Sequence, residues 1–240
     1  FHFMVRDLPP RILTSPLQKH FVFNTFTLMG LYAANFLGVM AAVLLPVDTL
    51  AGEISSGVVQ TMASKPVRRS DLLLGKWLGY VGAVLGYVLM LALGIVTIVK
   101  VRSGFTAPGI PFGIGLMLLE AVLLVSLSIA CGARFSTITS GIAVFGLHGL
   151  AFIGNWVEQI GTMMGNDSAR NVGTIASLVM PSEALWQLAA SVMQPAIMRD
   201  MRLSPFSPAS VPSPAMAWWA VGYLVVALAL GLAHFRKRAL

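Results

Sequence analysis

Two long uncharged runs bracket a polar stretch, and they limit what this chain can become. Residues 20–47 and 77–99 carry no Asp, Glu, Lys or Arg, while residues 48–76 between them hold Asp48, Glu53, Lys65, Arg68, Arg69, Asp71 and Lys76. About 20 apolar residues suffice to cross a bilayer as a helix. The pattern therefore predicts two membrane spans joined by a loop that returns the chain to the same side. Composition agrees: 57% of residues are hydrophobic and 10% charged, against about 25% charged in soluble domains. The net charge of +7 does not point to nucleic acid, because the bases sit at span edges and not in one stripe. It suits a chain held against anionic lipid.

Read in order, the chain shows five spans. Residues 1–20 form a polar lead-in. The first span covers 21–47 and ends at Pro46; the second covers Trp77 to Val99. Gly75, Gly79, Gly82 and Gly86 recur along the second at three- or four-residue steps, a pattern that supports close helix packing in lipid. Trp77 and Tyr80 fit an interfacial belt. The third span, Phe112 to Gly132, holds Glu120 near its middle, and the fourth, Ser140 to Trp156, holds His148. An ionisable side chain at that depth is costly and is a functional candidate. For both, a hydrogen bond between helices is the plainer reading. The last span, Met216 to Phe235, lies between Trp218-Trp219 and a basic tail.

The long connection before the last span is apolar from Val172 to Met193 but broken at Pro181, with Glu183 just behind. About 12 uncharged residues between Arg170 and Glu183 are too few to span. Two short helices are expected, with Ser182 as N-cap of the second and Glu183 in its first turn. The lone Cys131 excludes an internal disulfide.

Within the polar loop, Glu53 to Ala63 has helical spacing of Ile54, Val58, Thr61 and Met62. Lys65-Pro66 ends that helix, and Ser70 is placed to cap the next. Glu53-Ile-Ser-Ser-Gly57, then Lys65-Pro66-Val-Arg68-Arg69-Ser, then Leu74-Gly75-Lys76 resembles the cytoplasmic loop of ATP-binding-cassette transporter permeases of the type-two exporter class. Ser55 stands where a second acid is common there, and Val58 where Thr is common.

The resemblance implies an all-α, polytopic membrane helix bundle: five visible spans, a broken re-entrant helix pair at Pro181 and Glu183, and a cytoplasmic coupling helix. It implies one transmembrane domain over residues 1–240, with a sixth span expected before Phe1. Glu53, Gly57, Lys65, Pro66, Arg68 and Arg69 become the segment that docks on a partner ATPase. A second permease copy, or a homologous permease, and membrane lipid complete the expected partners. Residues 48–76, 133–139 and 236–240 are then cytoplasmic. Bases are denser in these segments than on the other side, which favours this orientation.

The sequence has no Gly-x-x-x-x-Gly-Lys-Ser/Thr loop, Gly-x-Ser-x-Gly elbow or His-Glu-x-x-His motif. ATP is therefore expected to act through a partner subunit, and no directly bound cofactor is expected. Two other readings stay open: an intramembrane enzyme in which Glu120, His148 or Ser126 converge on one aqueous cavity, and a non-transporting membrane scaffold.

Overall fold

A computed structural model describes residues 16–55, 69–200, 208 and 210–237. Among them the chain forms helices and no strand: α1 Pro16–Ser55, α2 Arg69–Ser103, α3 Ile110–Gly132, α4 Thr137–Met164, α5 Asp167–Val179, α6 Ser182–Val192, α7 Ala196–Asp200 and α8 Ala215–Lys237. Five of them, α1, α2, α3, α4 and α8, are long and apolar enough to cross a membrane.

Several boundaries differ from the sequence reading. The apolar span stops at Val47, as expected, but Pro46 does not end the helix; it lies inside α1, which continues to Ser55. A proline removes one backbone hydrogen bond, and membrane helices tolerate that where other groups re-satisfy the freed carbonyl. Glu53 accordingly stands near the end of α1 and does not open a separate helix. At 40 residues the helix is about 60 Å long, roughly twice the hydrocarbon thickness, so its end projects beyond the membrane. Gly57, Lys65, Pro66 and Arg68 lie outside the described residues. Arg69 is the first residue of α2, so Ser70 falls inside the helix and bonds the neighbouring Asp71 carboxylate at 3.2 Å. Similarly, α4 runs past Trp156 to Met164 and stops at Gly165, whose φ of 66° needs a residue without a side chain.

The central helix is α3. It packs against α1, α2, α4, α6 and α8. Its buried side includes Leu116, Met117, Leu123, Leu124 and Ile129. It also approaches α8 closely, since a Cβ built on Gly231 would sit 3.0 Å from Ala130 Cα. By contrast, no described residue of the chain packs on the glycine row of α2. A Cβ at Gly75, Gly79, Gly82 or Gly86 would meet nothing within 4 Å.

The connection breaks at Met180-Pro181, as expected, into α5 and α6. With 13 and 11 residues they are about 20 Å and 17 Å long, too short to cross a 30 Å core. The two differ in surroundings. Most of α5 is exposed and leans on α4, where Gly154, Gly161 and Gly173 let the backbones meet. In α6, every residue from Ser182 to Ser191 is buried. Side chains of the first and last spans hold the pair at its ends. Asn24 Nδ2 donates to the Met193 carbonyl (3.0 Å), and Trp219 Nε1 donates to the Leu178 carbonyl (3.0 Å). The second bond satisfies one of the last carbonyls of α5, which have no partner within their own helix.

Candidate functional site

Several of the polar residues buried in the bundle gather where α1, α3, α4 and α6 meet. Glu120 on α3 is 1% exposed. Asn35 on α1 donates to its Oε2 at 3.0 Å, and its Oε1 has no partner. On α4, Asn155 Nδ2 donates to Glu183 Oε1 (3.1 Å), and Gln159 Nε2 donates to Asn155 Oδ1 (3.1 Å). About two turns toward the start of α4, His148 Nδ1 lies 2.9 Å from Ser182 Oγ. Thus His148 and Glu120 each make an interhelical hydrogen bond, the plainer role expected for them. Ser182 does not cap α6. Pro181 holds the cap position, which leaves the Ser182 hydroxyl for His148.

The helix break explains the placement of Glu183. In α6, Ser182 and Glu183 are the first two residues after Pro181, where the unpaired N–H groups favour a carboxylate. Burial outweighs that help. Glu183 is 7% exposed, and desolvation pushes its pKa up to about 7 although the Asn155 hydrogen bond acts the other way. Among the described residues, no Lys or Arg pairs with Glu183 or Glu120. The two carboxyl groups are close enough to feel each other's charge.

Two cavities open beside this cluster. One, of about 240 Å³, is lined by Tyr32, Phe152, Asn155, Trp156, Gln159, Glu183, Trp186 and Gln187 among others. The second, of about 230 Å³, is lined by Tyr32, Asn35, Phe36, Phe145, His148, Phe152 and Glu183 among others. Tyr32, Phe152 and Glu183 border both. The aromatic rings are paired: Tyr32 and Trp186 have centroids 5.5 Å apart, and Phe152 and Trp156 6.4 Å.

The structure therefore gathers His148, Pro181 and Glu183 with Glu120 at one helix junction. Ser126 is elsewhere. It faces α2, where Trp77 Nε1 donates to its hydroxyl at 2.8 Å. That bond turns the Trp77 indole N–H toward α3. Sequence reading missed Tyr32, Asn35, Asn155 and Trp186. Asn35 and Asn155 offered a signal, being amides inside apolar runs, where an unpaired polar group is costly. No group of three or more His, Cys, Asp or Glu forms a metal site among the described residues.

Five membrane-length helices among the described residues, with polar side chains buried between them, define a multi-pass, all-helical membrane protein. The family model of the ABC-2 family transporter protein matches residues 6–240, and the chain belongs to that family. No curated protein matches the sequence.

Proposed function

We propose that this chain is the membrane-spanning permease subunit of an ATP-driven exporter, acting as a dimer in the plasma membrane with a separate ATPase subunit. One transmembrane domain supplies the path, and the loop from Glu53 to Arg69 receives the ATPase. The carrying observation is the family match over residues 6–240. The junction of α1, α3, α4 and α6 supports it physically, because cavities bordered by both aromatic and carboxyl groups give a solute somewhere to rest inside an otherwise apolar bundle.

Coupling follows from the helix lengths. The helices α1 and α2 outreach the bilayer on the side of the 48–76 loop. A push on that loop is delivered to two long rigid helices, and α1 carries Tyr32 and Asn35 at the junction. In this reading α5 and α6 form a re-entrant pair on the opposite side, broken at Pro181, which places Glu183 at the cavity wall.

Purification from native membranes tests the proposal. The chain should bring down an ATPase whose activity rises in its presence. Glu53→Ala and Gly57→Val should leave membrane insertion intact and weaken both capture and stimulation. A charge that loses its partner at an interface costs about 2–5 kcal/mol. Absence of any co-purifying ATPase would overturn the permease reading. Wild-type behaviour of both variants would remove the loop as the coupling element.

A further inference from the structure

We infer that the paired cavities bind a small organic cation, a quaternary or protonated amine, with Glu183 as its counter-ion and the rings of Tyr32, Phe152, Trp156 and Trp186 as its walls; this rests on the permease reading and names its substrate class. Three observations converge. First, Glu183 borders both cavities and Asn155 holds only one of its oxygens, Oε1. Second, among the described residues no protein cation pairs with Glu183 or with Glu120 behind it. Buried charge is normally paired, so Glu183, when ionised, leaves a site that favours incoming positive charge. Third, the walls are aromatic. Ring faces attract ammonium groups within about 6 Å, most strongly when water is excluded. An anion would meet Glu183 unfavourably. A neutral apolar solute would make no use of it.

The cavity sizes, about 240 and 230 Å³, suit a compact ion and not a long-chain lipid. Trp156 is 54% exposed, so its ring forms the outer wall and its replacement leaves the core intact.

Equilibrium binding of radiolabelled tetraethylammonium to the purified protein in lipid nanodiscs tests the inference. Saturable binding should be displaced by choline and not by 3,3-dimethylbutan-1-ol, its uncharged isostere. Glu183→Gln, which keeps a hydrogen-bonding group for Asn155, should weaken binding at least about 10-fold. Glu183→Asp should recover part of it. Trp156→Leu should weaken binding about 3- to 10-fold, in line with one lost cation–π contact. Three results would each overturn the inference: no saturable wild-type binding, equal displacement by the uncharged isostere, or unchanged binding by Glu183→Gln. Binding is read without ATP or a partner. Failure here alongside a co-purifying ATPase would remove the cation and leave the permease reading standing.

Discussion

Helices α2 and α3 are equally apolar, yet 17% of the most apolar part of α2 is buried in the chain, against 67% of α3. In water such sequences would have to be hidden equally. In lipid they need not be, because acyl chains solvate leucine as well as a protein core does. What separates the two helices is their polar content and their close approaches. Within its span α3 carries Glu120, Ser126 and Ser128, all buried. The exposed surface of α2 carries Leu78, Met90, Leu93 and Ile98 with a row of untouched glycines. Apolar character thus tells where the chain crosses, and buried polar groups tell which helix lies at the centre.

The largest predicted effects fall on glycines around α3. Gly109 has φ +60°, and a Cβ there would come 2.7 Å from the Val192 carbonyl oxygen. Gly109→Val combines left-handed strain with overpacking and should cost about 3–4 kcal/mol. Gly113→Leu, whose Cβ would lie 2.5 Å from the Met193 side chain, should cost about 1–3 kcal/mol. Gly79→Leu on α2 should stay within about 0.5 kcal/mol. Unfolding in nanodiscs reads all three, and a Gly79→Leu cost equal to that of Gly109→Val would break the contrast.

Glu183 comes next. Its pKa is raised from 4.5 to about 7, so the protonated form is favoured in the folded state. Its contribution to stability is complete below pH 4.5 and is lost as pH rises through about 7. At 1.36 kcal/mol per unit, the full swing is roughly 3 kcal/mol. Tyr32 on α1, Glu120 on α3, and His148 and Asn155 on α4 face or adjoin it and shape the same curve. Glu183→Gln should flatten the fall in stability between pH 5 and pH 8, and at pH 8 should be the more stable form. A group retained against stability while loss of its charge impairs binding is what a functional carboxyl looks like. An unchanged pH profile would take Glu183 out of that role.

A smaller effect is expected at Glu120. Glu120→Leu orphans the Asn35 amide and should cost about 1–2 kcal/mol, the size of a polar contact between membrane helices. Glu120→Gln should recover most of that loss. Equal loss from both replacements would mean that the charge, not the hydrogen bond to Asn35, holds α1 to α3.

Much of the fold was legible in the sequence, because the bilayer imposes length and charge rules that read directly from uncharged runs. The break at Pro181 was also legible, since Pro followed by Ser182 and Glu183 is ordinary helix-start chemistry. Helix ends were less so. Nothing in the few residues just after Pro46 or Trp156 marks a stop, and both helices continue, α4 as far as Gly165. The site was half legible. Glu120, His148 and Glu183 announce themselves as ionisable groups in apolar surroundings. Their convergence depends on how α6 inserts beside α3, which no spacing along the chain encodes. The glycine row of α2 is a related case. Such a row permits close packing without specifying a partner helix.

The central claim is that the junction of α1, α3, α4 and α6 is a water-reachable, ligand-holding site, whereas the exposed apolar face of α2 is closed to water. Substituted-cysteine labelling in a Cys131→Ser background tests it most directly. Asn155→Cys should react with a charged, water-soluble thiol reagent, and tetraethylammonium should slow that reaction. Leu78→Cys should react with neither speed nor ligand dependence. Equal labelling of the two positions, or an Asn155→Cys that stays unreactive in folded protein, would contradict the account.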